Sequence, residues 1–125
     1  MPATPWKTLR EPDPEREYVV LLTHLPMRRP SKLPRFFGYV RKIQKQLDRT
    51  AGLVGYSLLA KPLRADYWTL SVWEDDEALR RFVAERPHLD AMGELPRYLS
   101  GFRTIRWTAG GRSLPPDWDD AVARA

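Results

Sequence analysis

The chain contains no cysteine and only two histidines, His24 and His88. The first absence excludes disulfide staples, thiolate metal sites, thiol nucleophiles and CxxC redox chemistry together. The second leaves too few ligands for a closed structural zinc site, and no HExxH or paired-histidine spacing occurs. G-x-G-x-x-G, Walker and serine-elbow motifs are missing too, so nucleotide-dependent redox chemistry, phosphoryl transfer and triad hydrolysis lack a local basis. No apolar run is long enough to cross a bilayer. The opening MPATPWKTLREPDPERE mixes charge with proline where a secretory signal needs an apolar stretch, so a cytoplasmic protein with no membrane partner is expected. What survives these exclusions is chemistry that needs only a pocket and a base.

What is present fits one globular domain. The 125 residues are enough for a single core and too few for two ordinary domains, and 42% hydrophobic with 30% charged residues is a folded composition. The net charge of +5 is unevenly spread. Between Pro26 and Arg49 eight Lys or Arg face the single acid Asp48, whereas between Glu74 and Glu94 seven acids face three arginines. A polarised surface follows. No nucleic-acid-binding module accompanies the basic run, so a solvated cationic helix face is expected and a nucleic-acid partner is not.

Residues 1–17 carry Pro2, Pro5, Pro12 and Pro14 and read as an extended arm that Trp6 and Leu9 can anchor. Residues 18–109 hold the periodic segments, and residues 110–125 form a turn-rich tail with room for a helical turn or two. YVVLLTHL (18–25) is a strand apolar on both faces. From Leu33 or Pro34 to Arg49, Phe36, Phe37, Val40, Ile43 and Leu47 recur at threes and fours and predict a helix, with Gly52 suited to its C-cap. LVGYSLLA (53–60) and DYWTLSVW (66–73) are two strands joined by a short turn, which favours an antiparallel hairpin. On the second of them Trp68, Leu70 and Val72 share one face, while Tyr67, Thr69, Ser71 and Trp73 share the other. Glu74–Glu77 open a second helix with carboxylates that suit its dipole, Pro87 interrupts it, a short helical piece restarts at His88, and a last strand runs from Phe102 to Ala109.

The order strand, helix, strand, strand, helix, strand predicts an α+β, ferredoxin-like split β-α-β fold with a four-stranded antiparallel sheet and both helices on one face. The other face then needs a cover, because a large apolar sheet surface is rarely left in water. Pairing of two copies through that face is the expected solution.

LVGYSLL followed by YWTLSVWEDDEALRRFVAERPHLDAM resembles the dimeric α/β-barrel superfamily, in particular antibiotic-biosynthesis-monooxygenase-like proteins and their haem-degrading relatives. The resemblance spans about residues 18–109. It implies two sheets paired into a barrel, a homodimer, and a pocket between sheet and helices for a small aromatic or hydrophobic ligand. Members oxidise activated phenols or anthrone-like polyketides without metal or organic cofactor, degrade haem, isomerise or cyclise. In the haem-degrading branch an asparagine on the first strand and a tryptophan in the second helix accompany the proximal histidine. Threading puts His24 and Phe82 at the first two positions and His88 near the third, so that branch's set is not reproduced. The implied activity is a cofactor-independent, monooxygenase-like oxidation, with haem or hydrophobic-metabolite binding as the alternative.

The candidates follow from side-chain chemistry. His24, at the end of the first strand, and His88, at the start of a helical piece, are the only groups with an ordinary pKa near neutrality, and so the candidate proton-transfer residues. His88 is equally placed as an axial ligand or as a polar cap. Trp73, Tyr56 and Phe82 offer rings that can flank a flat substrate, and Met92 a soft apolar contact. Arg35, with Arg28, Arg29 and Lys32, lies at the rim of the cleft between sheet and first helix, where it can attract an anion.

Overall fold

The computed structural model describes residues 5–26, 33–61, 66–85, 88, 93, 99, 101 and 103–124, of which residues 33–37, 60 and 61 are described by their backbone alone. The elements in chain order are β1 (Lys7–Thr8), β2 (Glu17–Pro26), α1 (Leu33–Asp48), β3 (Leu53–Lys61), β4 (Asp66–Trp73), α2 (Asp76–Ala84), β5 (Arg103–Gly110), a 3-10 turn (Gly111–Ser113) and α3 (Trp118–Ala123).

All neighbouring strands are antiparallel, in the order β1-β3-β4-β2-β5. The sequence-central strands β2 and β3 are therefore parallel with β4 between them, which is the split β-α-β arrangement the pattern predicts. Two expectations are corrected. The sheet has five strands, because Lys7–Thr8 of the N-terminal arm pairs with Tyr56 and Gly55. It is also open and not closed into a barrel: β1 and β5 are edges with one strand neighbour each.

Local chemistry accounts for the boundaries. Gly52 takes φ 86° after α1, and a Cβ there would lie 2.4 Å from Ala78 Cβ, so glycine supplies both the left-handed turn and the close approach to α2. Asp75 caps α2 by accepting from Ala78 N at 2.9 Å, which identifies the member of the acidic run that does the capping. Gly55 lies beneath the Trp6 indole, whose Nε1 would be 2.7 Å from any added Cβ.

The two faces of the sheet are filled differently. On one, Tyr18, Val20, Leu22, Val54, Leu59, Trp68, Leu70 and Val72 form the larger core cluster. The cover on this face is the chain's own: Ala121 is fully buried against it, and Trp6, Leu114, Trp118 and Val122 pack around it. Trp118 Nε1 donates to Ser57 Oγ at 3.1 Å, fastening α3 to β3. The apolar surface that was expected to require a second sheet is thus covered from within the subunit, which is the physical reason an open sheet can persist. On the opposite face Leu53, Tyr56, Trp73, Ala78, Leu79, Phe82 and Leu47 form the second cluster, under α1 and α2.

Candidate functional site

The helix side of the sheet is not solidly packed. A cavity of about 300 Å³ lies between β2, β3 and β4 on one side and α1 and α2 on the other. Strand alternation supplies its floor with Leu21, Thr23 and Leu25 from β2, Tyr56 and Leu58 from β3, and Thr69, Ser71 and Trp73 from β4. Val40, Ile43, Gln44 and Leu47 of α1 and Leu79, Phe82 and Val83 of α2 roof it, at the three-and-four spacing that puts them on one helix face. His88 completes the wall. The volume lies at the lower end of small-ligand sites, and the mainly apolar lining with a few polar groups is what such sites share.

The polar groups have defined roles. His88 Nδ1 lies 3.2 Å from the Val83 carbonyl, and a carbonyl only accepts. The proton of the neutral ring is therefore on Nδ1, and Nε2 is the basic nitrogen. Burial lowers the His88 pKa from its ordinary value, against a smaller opposing effect of the Val83 bond. The ring is neutral at pH 7. Its backbone is held by Gln46, a buried side chain on α1 whose Oε1 accepts from His88 N at 3.0 Å and whose Nε2 donates to the Phe82 carbonyl at 3.2 Å. One carboxamide thus ties α1 to the end of α2 and to the histidine.

Aromatic rings continue from His88 along the wall. Its centroid is 4.8 Å from that of Phe82, which lies 5.2 Å from Trp73, both pairs being tilted. Trp73 Nε1 donates to Ser71 Oγ at 2.8 Å, so the indole is fully hydrogen-bonded within β4. Tyr56 turns its hydroxyl toward Asp48, donating to Oδ1 at 2.8 Å. Burial first, and that bond second, raise the Tyr56 pKa, so the phenol stays protonated and contributes a ring surface to the cavity. Hydrogen bonds from Lys7 and then Tyr56 lower the Asp48 pKa and keep it a carboxylate.

The structure gathers His88, Trp73, Tyr56 and Phe82 around one cavity and places His24 elsewhere. On β2, His24 alternates with Leu21, Thr23 and Leu25 and so lies on the α3-covered face. Its ring stacks on Trp68 with centroids 3.9 Å apart and planes 16° from parallel, and its Nε2 contacts Asp66 Oδ1. Met92 and the Arg35 side chain lie outside the described residues, as do Arg28, Arg29 and Lys32. Sequence reasoning missed Gln46 and Gln44. A polar residue beside the apolar α1 stripe of Val40, Ile43 and Leu47 was the available signal, and it is faint because such flanks usually meet solvent.

Among the described residues no group of three or more His, Asp or Glu gathers as a metal site, and no helix is long and apolar enough to cross a membrane.

Comparison with known proteins bears on the fold. No protein-family model and no curated protein matches the chain. Solved structures do match. Protein SO0527 from Shewanella oneidensis superposes with a TM-score of 0.66 at 12% identity, over 84% of this chain and 97% of that one. An antibiotic biosynthesis monooxygenase gives 0.66 at 11% identity over 73% and 97%. SnoaB, a cofactor-independent oxygenase from Streptomyces nogalater, gives 0.55 at 20% identity over 81% and 98%. The chain therefore has the fold of monooxygenase-like proteins, at an identity that carries the fold alone.

Proposed function

We propose that the protein is a cofactor-independent, monooxygenase-like enzyme for a flat aromatic or polyketide-like substrate, with His88 as its proton-transfer residue. The observation that carries this reading is the His88 tautomer: Nδ1 bound to the Val83 carbonyl, Nε2 basic, in the wall of an otherwise apolar cavity. A base held in its unprotonated form in a mainly apolar site is what removal of a weakly acidic proton requires. Likeness of fold to a cofactor-independent oxygenase supports the same class.

The chemistry balances with dioxygen as co-substrate. His88 Nε2 takes a proton from a ring-activated CH₂, leaving a delocalised carbanion beside the Trp73 and Phe82 rings. The carbanion's electron pair reduces dioxygen and forms a C–O bond, and return of the proton gives a hydroperoxide. Loss of the second C–H proton with cleavage of O–O then yields a ketone and water, so one oxygen atom enters the product and the other leaves as water. The protein supplies the base, an imidazolium close to the developing negative charge, and exclusion of bulk water.

Oxygen uptake with hydroxylated polycyclic aromatics and anthrones tests this. His88→Ala is expected to lower the rate by roughly 10²-fold, the usual weight of a general base, and His24→Ala, on the opposite face, to leave it unchanged. Turnover that survives His88→Ala removes the base assignment. A second reading, a non-catalytic carrier of a hydrophobic metabolite, draws on the mainly apolar lining, in which His88 is the one imidazole among the described cavity residues. Tight binding of the same aromatics without oxygen uptake favours it. Haem enters the same experiment: a Soret shift lost in His88→Ala identifies axial ligation.

The expected homodimer through the sheet face belongs to this reading only with α3 displaced, because Trp6, Trp118 and Val122 occupy that surface. Sedimentation at micromolar protein separates a 14.6 kDa chain from a pair.

A further inference from the structure

A second cavity, of about 340 Å³ and more open, lies beside the first and has a different character. Pro5, Lys7, Arg41, Gln44, Lys45, Asp48 and Tyr56 line it, and Gln44 and Tyr56 belong to both cavities. The α1 helix brings Arg41 and Lys45 to one side by their i, i+4 spacing. Pairing of β1 with β3 sets Lys7 opposite Tyr56 on the other side.

The charges do not cancel. Three cations face one carboxylate, Asp48, which is already engaged by Lys7 Nζ at 2.7 Å and by the Tyr56 hydroxyl at 2.8 Å. Arg41 and Lys45 have no carboxylate partner among the described residues. Among the described residues the first cavity, by contrast, offers no ionised group: hydroxyls, a carboxamide and a neutral imidazole are its polar groups. A charged substituent placed there would lose its hydration with no counter-charge in return. The adjoining basic hollow is where such a substituent finds one.

From this juxtaposition we infer that the ligand is amphipathic: a flat apolar body in the cavity beside His88 and a single anionic group, of carboxylate type, held by Arg41 and Lys45 past Gln44 and Tyr56. A single anionic group is specified because Lys7 is taken by Asp48 and only Arg41 and Lys45, one helical turn apart, are left to hold it. The inference rests on the proposed ligand cavity and adds the substrate class to it.

Two naphthalene dyes that differ by one sulfonate provide the test: 1-anilinonaphthalene-8-sulfonate and its neutral parent N-phenyl-1-naphthylamine, titrated by fluorescence. The folded protein is expected to bind the anionic dye roughly tenfold more tightly, the sum of two solvent-accessible charge contacts. The double variant Arg41→Gln/Lys45→Gln is expected to abolish that preference while binding the neutral dye as before, and molar salt is expected to do the same. Circular dichroism checks that the double variant is folded, and Lys42→Gln, on the same helix outside the hollow, controls for general loss of charge. Equal affinity for both dyes, or a preference that survives the double variant, overturns the anion site and leaves the cavity standing. Failure of both dyes to bind overturns the cavity reading and the anion site with it.

Discussion

The two histidines lie on opposite faces of one sheet, and the faces differ in what covers them. On the face of His24, the chain's own C-terminal helix packs the Trp118 indole and Val122 onto the cluster that holds Val20, Leu22, Leu70 and Val72, all four of them at most 1% exposed. Behind His88, two longer helices span the sheet and leave a hollow. A six-residue element can settle onto a surface and adjust, whereas the longer α1 and α2 stand where their connections put them. The histidine on the first face has a stacking partner and a carboxylate, and the one on the second lines an apolar space with its Nδ1 held by a carbonyl.

Adjacent leucines expose this difference most strongly. Leu22 points into the filled face and Leu21 into the hollow. Leu22→Ala is expected to cost about 3 kcal/mol by opening a void in close-packed surroundings. Leu21→Ala should cost about 1 kcal/mol, since it enlarges a space that already exists. Equal losses in urea denaturation would mean that the hollow is filled in solution.

Gln46→Leu comes next. It strands the His88 amide and leaves the Phe82 carbonyl with the Glu85 N–H as donor, and a loss of about 2 kcal/mol is expected. Amide exchange at His88 should rise well beyond what that global loss explains, whereas a uniform rise would assign Gln46 no particular hold on the histidine.

The smallest effect is on pH dependence. Because burial lowers the folded-state pKa of His88, the unfolded chain takes up its proton first, near pH 6.5, and the folded state only at lower pH. Stability contributed by the neutral ring is present above that value and falls away as pH drops toward the folded pKa. Substitution by glutamine should flatten the stability profile in this window. A profile unchanged in His88→Gln would contradict a buried neutral imidazole.

Much of the filled face was legible in advance. The alternation in DYWTLSVW separates Trp68, Leu70 and Val72 from Thr69, Ser71 and Trp73, and the structure keeps these two sets apart with the same strand ends. Parity also put His24 in step with Val20 and Leu22. It could not tell which set faces the helices, because both faces of β2 are apolar and either would have served as floor. The five-stranded sheet escaped because a two-residue strand amid prolines carries no period, and its pairing is dictated by Trp6 settling over Gly55. The internal cover escaped for a related reason: a six-residue helix has too few apolar positions to declare a face until it docks. The cavity itself depends on how far apart α1 and α2 stand, a tertiary distance that no local pattern encodes.

Strand β5 is left with one hydrogen-bonded neighbour, yet it is poorly suited to recruiting another chain. Exposed Arg103, Thr104, Arg106 and Thr108 run along it, and Arg106 is drawn back over the sheet by Asp76 at 2.6 Å. Two guanidinium groups make stacking of identical strands electrostatically unfavourable at the place where fibrillar growth would otherwise begin. The margin that a closed barrel removes by geometry is here guarded by arginine.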